Sequence, residues 1–76
     1  MTSQTHTISA ELVANVGAVL VAVGDTVGPT DTLVLLESMK MEIPVLAEVD
    51  GVVTELAVSV GDSIRDGDVI AVIEIG

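Results

Sequence analysis

The chain has no phenylalanine, tryptophan or tyrosine among its 76 residues. Any core must therefore be assembled from Val, Leu, Ile, Ala and Met, in thin aliphatic layers. The same absence removes the flat rings on which single-stranded nucleic acid or a planar cofactor usually stacks. Cysteine is missing too, which excludes a disulfide framework, a thiolate nucleophile and a cysteine-based metal site. Positive charge is scarce: Lys40 and Arg65 stand against twelve acidic residues, for a formal net charge of -10. Such a surface repels phosphate backbones and anionic lipid heads, so neither nucleic acid nor a membrane is an expected partner. Residues 12–24 form the longest uncharged stretch near the start. They are too few for a spanning helix and are interrupted by Asn15 and two glycines. The polar start over residues 1–7 has no basic segment followed by an apolar one, so it does not read as a secretory signal. These features predict a soluble, cytoplasmic protein with residues 1–7 as a flexible polar segment. His6 is the single histidine, and one ligand does not make a metal site.

What the chain does have is an internal repeat. Sliding the sequence by 37 residues pairs Ala10-Glu11 with Ala47-Glu48, Gly24-Asp25 with Gly61-Asp62, Asp31 with Asp68 and Glu37 with Glu74. Val16, Val21 and Val23 meet Val53, Val58 and Val60 in the same register, and Val27, Leu33 and Leu35 meet Ile64, Ile70 and Val72. Two copies are too few for a solenoid, so the economical solution is one closed domain over residues 8–76, its halves related by a pseudo-two-fold axis. Residues 18–23, 33–36, 52–60 and 69–75 are rich in Val, Ile and Leu and read as strands. Turn residues separate them: Val-Gly-Asp at 23–25 and 60–62, Gly28-Pro29, Asp50-Gly51 and Asp66-Gly67-Asp68. Short strands with frequent turns predict an all-β sandwich or barrel. Pro44 then belongs at a strand start or a sheet edge.

The two halves meet at Ser38-Met39-Lys40-Met41, where the chain should reverse direction. Lys40 is the only lysine and lies between two methionines at this singular place. A lone lysine on a turn is ordinarily a solvated charge, and methionines beside it ordinarily fill gaps at a core's rim. Position in the repeat favours a presented side chain instead. A lysine amine attacks only after losing its proton, and no neighbour in sequence is suited to taking it. Modification by a separate enzyme fits better than self-catalysis.

Glu37-Ser38-Met39-Lys40-Met41-Glu42 resembles the Glu-Ala-Met-Lys-Met signature of biotinyl domains, the family of biotin carboxyl carrier proteins. Val23-Gly24-Asp25-Thr26-Val27 resembles the turn after that family's first long strand. Asp50-Gly51-Val52-Val53, with Val60-Gly61-Asp62-Ser63-Ile64, resembles the counterpart in its second half, and Gly67-Asp68-Val69-Ile70 its approach to the last strand. The resemblance runs from about Ile8 to Glu74 and implies a flattened barrel, or barrel-sandwich hybrid, of two four-stranded antiparallel sheets. It implies covalent biotin on Lys40, with Met39 and Met41 as flanking recognition residues and Glu37, Ser38 and Glu42 as motif neighbours. A biotin protein ligase would join biotin to Lys40 Nζ as an amide. A biotin carboxylase would then load a carboxyl group on the ureido N1′, and a carboxyltransferase would pass it to an acyl-CoA or a 2-oxo acid. On this reading the chain is a carrier with no catalytic residues and no metal.

Some positions depart from the pattern. Ser38 stands where Ala is usual, which changes little. Ala14 stands opposite Gly51 in the repeat, so a turn needing positive φ would be strained in the first half and the halves would turn differently. No insertion in the first half could cover the biotin, which predicts a mostly free arm. The nearest competitor is a lipoyl domain, whose lysine usually follows Asp and precedes Ala. A small enzyme using Asp25 with Asp62 or Asp31 with Asp68, and a structural adaptor, are readings of a different class. The aspartates fall at turns, where local hydrogen bonding explains them.

Overall fold

Each half of the repeat folds into the same four strands. A computed structural model describes residues 4–75, with β1 (Gln4–Ser9), β2 (Ala14–Val19), β3 (Thr26–Val27), β4 (Thr32–Ser38), β5 (Met41–Leu46), β6 (Gly51–Leu56), β7 (Ser63–Ile64) and β8 (Val69–Ile75). Moving β1–β4 along the sequence by 37 residues gives the bounds of β5–β8 residue for residue. The strands form two antiparallel four-stranded sheets, ordered β1-β8-β6-β3 and β5-β4-β2-β7. Each sheet takes two strands from each half, so neither half can close a core alone. No helix among the described residues is long and apolar enough to cross a membrane.

The core lies between the sheets and obeys the repeat. Leu33, Leu36 and Val16 are fully buried, and so are their counterparts Ile70, Ile73 and Val53. Period-two alternation breaks where Leu33 and Val34 are buried in succession, and again at Ile70 and Ala71. A register shift between Thr32 and Val34 accounts for the first break. With no aromatic to bridge the gap, the small-residue positions Ala10, Ala14, Ala47 and Ala71 let the layers approach closely.

The Val-Gly-Asp turns also repeat. Gly24 and Gly61 adopt φ of 98° and 94°, a region that a side chain disfavours. Asp25 Oδ2 accepts the Ala22 N–H at 2.9 Å, and Asp62 Oδ2 accepts the Ser59 N–H at 2.8 Å. Asp31 and Asp68 do the same for Gly28 and Arg65. All four aspartates therefore have turn-stabilising partners, in keeping with their reading as turn residues.

Several boundaries differ from those read in the sequence. Residues 4–7, expected in a flexible start, belong to β1 and pair with β8, from Gln4↔Ile75 to Thr7↔Val72. Residues 1–3 lie outside the described residues. Polar side chains hide β1 in the sequence and Pro44 hides β5, because edge strands need no continuous apolar run. Pro44 lies inside β5, the edge of its sheet, opposite Leu35, so it sits at an edge and not at a strand start. β2 ends at Val19 rather than residue 23 and β6 at Leu56 rather than residue 60, because the apolar runs continue past the ladder into the turns; β2 also begins earlier, at Ala14 rather than residue 18. Ala14 and Gly51 open β2 and β6 equivalently, and neither has positive φ. The halves do not turn differently there.

Candidate functional site

The β4–β5 hairpin closes through a two-residue loop between the paired Ser38 and Met41. Met39 and Lys40, its central residues, have φ of 51° and 67°. Positive φ at both is the signature of a type I′ turn, whose twist matches that of the flanking strands. Asn-Gly is the usual occupant. A residue with a longer side chain costs about 1 kcal/mol at each such position, so the Met-Lys tip lowers the stability of its hairpin.

This tip lies at one pole of an elongated molecule. Its extents are 43 × 19 × 17 Å, whereas a seven-residue strand spans only about 23 Å. The hairpin arms β4–β5 and the counterpart pair β8–β1 must therefore extend in opposite directions from the centre. Under the pseudo-two-fold, the pair Ser38↔Met41 corresponds to Ile75↔Gln4. The lysine tip and the paired chain ends thus mark opposite poles.

All six residues singled out in the sequence gather at the tip. Met39 is 92% exposed, Met41 is 61% exposed, and Lys40 is exposed. The methionines fill no core gap. The one contact of salt-bridge length among the described residues joins His6 to Glu48, so Lys40 has none there. Glu37 and Glu42 face each other across the hairpin, one step below Ser38↔Met41. Like charges in that relation repel, and the Glu37 side chain lies instead toward β2.

Gly17, which belongs to no motif in the sequence, makes room for it. A methyl group at Gly17 would lie 2.8 Å from both Cγ and Cδ of Glu37. Gly17 sits in the register shift between Val16 and Ala18, beside the pairs Asn15↔Glu37 and Val16↔Leu36. In the second half Thr54 takes its place, and Thr54 Oγ1 donates to the Val72 carbonyl at 3.2 Å. The repeat differs at Gly17, where the Glu37 stem lies in the space a side chain would need. The mismatch of Gly17 with Thr54 is the signal that the sequence overlay offers for it.

A lysine amine held out in solvent on a tight hairpin, flanked by exposed thioethers and backed by carboxylates, is chemically accessible to an acylating partner. Comparison with known proteins gives the family. Residues 6–73 match the biotin/lipoyl family described as biotin-requiring enzyme. The chain is 62% identical over 66 residues to the biotinylated protein TB7.3 homolog of Mycobacterium leprae, covering 87% of this chain and 93% of that protein. It is 46% identical over 67 residues to the biotin-dependent acyl-coenzyme A carboxylase alpha3 subunit of the same organism, covering 88% of this chain but 11% of that one. Among solved structures, the urea carboxylase of Kluyveromyces lactis superposes with a TM-score of 0.86 at 30% identity, over 96% of this chain and 6% of that enzyme. The chain thus spans nearly all of one small biotinylated relative and a small part of much larger carboxylases. With the match extending over almost every strand, this chain belongs to the biotin/lipoyl attachment family of biotin-requiring enzymes.

Proposed function

We propose that the chain is a biotin carboxyl carrier in which Lys40 is the covalent attachment point for biotin. The observation that carries this reading is the exposed sole lysine on a two-residue turn between two exposed methionines. The side chains present fit the group: an amide at Nζ removes a charge that serves no ion pair among the described residues, and the tip is open on all sides to an acyl chain. Biotin supplies an uncharged ureido nitrogen that can accept and release a carboxyl group. The chain's own residues present and orient, and they catalyse nothing.

Three partners follow for this role: a biotin protein ligase, a biotin carboxylase and a carboxyltransferase. Met39 and Met41 offer the ligase an apolar handle on either side of the amine, with Glu37, Ser38 and Glu42 framing it. The direct test is co-expression with a biotin protein ligase, followed by mass spectrometry of the Lys40 peptide. One biotinyl increment is expected; a lipoyl increment with the cognate lipoyl ligase, and none with the biotin ligase, would overturn the reading.

Met39→Asn separates stability from recognition. Asn tolerates positive φ, so the variant gains about 1 kcal/mol, and its melting temperature rises by roughly 4–8 °C. Losing a Met side chain from the ligase contact forfeits about 1.5 kcal/mol or more, so kcat/KM for biotinylation falls by roughly tenfold. Equal or better labelling of this variant would show that the methionine contributes nothing to recognition.

Gly17→Ala tests the support beneath the tip. The new methyl group displaces the Glu37 stem, and labelling efficiency drops. If the loss acts through Glu37, it disappears when Gly17→Ala is made in a Glu37→Ala background. A coupling of about 1 kcal/mol in that double-mutant cycle is expected; additive effects would mean that Gly17 serves only the strand.

A further inference from the structure

The open seam between edge strands β1 and β5 forms a groove of about 290 Å3, lined by the end of β1 with its following turn and by β5. The pseudo-two-fold exchanges residues 8–12 with 45–49 and residues 43–46 with 6–9, so the groove straddles the axis. Its ends nevertheless differ. On the lysine side it is lined by Leu36 and Ile43. Their counterparts Ile73 and His6 do not line it, and at that end the His6 ring lies with Nε2 3.4 Å from Glu48 Oε1. One end of the groove thus sets a five-membered, N–H-bearing ring against a carboxylate. At the other end the equivalent carboxylate is Glu11, and Ile43 stands where His6 does. Among the described residues Glu11 has no side-chain hydrogen bond and no ion pair.

Reach selects the occupant. Ile43 is three residues from Lys40, about 10 Å along an extended strand. A lysine side chain carrying a five-carbon acyl chain has about eleven bonds between Cα and the ring, which span roughly 14 Å. The ring system therefore reaches the Leu36–Ile43 end. Leu46, six residues from Lys40 and about 20 Å away, lies beyond it. The chemistry also matches: an apolar bicycle suits the half-buried Ile43 and Leu12, and a ureido N–H suits an anionic acceptor.

We propose that the Leu36–Ile43–Glu11 end of this groove is a docking site for the uncharged ureido end of the biotinyl-lysine arm. The proposal rests on Lys40 being the acceptor, and it replaces the expectation of a mostly free arm. It also makes docking depend on load. An arm that has taken up a carboxylate at N1′ has one N–H fewer and one negative charge more, so Glu11 repels it and the loaded arm swings out.

The test begins with biotinylated protein whose single increment on Lys40 is established by mass; failure at that step rejects the acceptor assignment and not the groove. Amide spectra of the biotinylated and unmodified 15N-labelled protein are then compared. Shift changes are expected at Leu36, Ile43, Glu11 and Leu12 as well as at residues 38–42. Glu11→Ala should lose more than half of the changes at Leu36 and Ile43, whereas Glu11→Gln, which keeps a carbonyl acceptor, should retain most of them. An arm coupled to Lys40 with a methoxycarbonyl group on N1′ should lose them. Changes confined to residues 38–42, changes centred on residues 57–69, or changes untouched by Glu11→Ala would each overturn the proposal. Glu11 is exposed, so its variants keep the fold, which an unchanged melting temperature verifies.

Discussion

Gly51→Ala lowers the melting temperature by roughly 15 °C, the consequence of about 3 kcal/mol lost from a domain of this size. The cause is not backbone conformation, because Gly51 does not have positive φ. A methyl group there would strike the Glu74 carbonyl oxygen and lie 2.7 Å from Cγ2 of Ile73. The first obstacle is backbone in the central strand β8, and the second belongs to a side chain with no exposed surface. Neither can swing aside, so β6 must shift against β8 or the pairing Val52↔Glu74 must loosen. Ala14, the counterpart in the repeat, already carries such a methyl group, buried and opposite Ile64. Ala14→Gly should therefore cost only about 1 kcal/mol. Thermal unfolding of the two variants side by side checks the argument. A Gly51→Ala protein that melts within a few degrees of the parent would show that the close approach is soft.

Lys40→Arg abolishes biotin incorporation while leaving stability unchanged within about 0.5 kcal/mol. The guanidinium keeps the charge and the length of the side chain but stays protonated, so it offers no amine to an acyl-adenylate. Because Lys40 is the only lysine, no second side-chain amine can substitute. Intact mass after incubation with ligase, biotin and ATP measures the first effect, and thermal unfolding the second. Label persisting on the variant would refute the assignment of Lys40. A structural adaptor would retain its function in this variant, so the same protein also discriminates that reading.

Gly51 and Lys40 are unequally legible in the sequence. Lys40 stands out as the sole lysine at the repeat junction, whereas Gly51 shows only as half of a turn-like Asp-Gly pair. Its actual constraint is the nearness of Glu74, a residue 23 positions away, and only chain pairing brings them together. Gly17 is similar: nothing local distinguishes it, and its partner Glu37 belongs to another strand. The polar strand β1 reads as a flexible start because its residues Gln4, Thr5 and Thr7 have little apolar surface to advertise. Its strand conformation comes from hydrogen bonds to β8, which a residue-by-residue reading does not see.

The sequence by itself determined the two-fold repeat, the all-β class, the aliphatic core and the place of Lys40 at the junction. Each of these is carried by local pattern or by composition: the spacing of Val, Leu and Ile, the Gly-Asp turns, the absence of rings and the Met-Lys-Met string. Tertiary structure decided what depends on distance between remote residues. It decided that each sheet draws on both halves, that Gly51 and Gly17 are required for close approach, and that the lysine tip closes through a two-residue turn at positive φ. It also brought Ile43 and Glu11 together on one groove. The physical reason is that period and propensity act along the chain, whereas close approach, register and grooves exist only between strands that folding has paired.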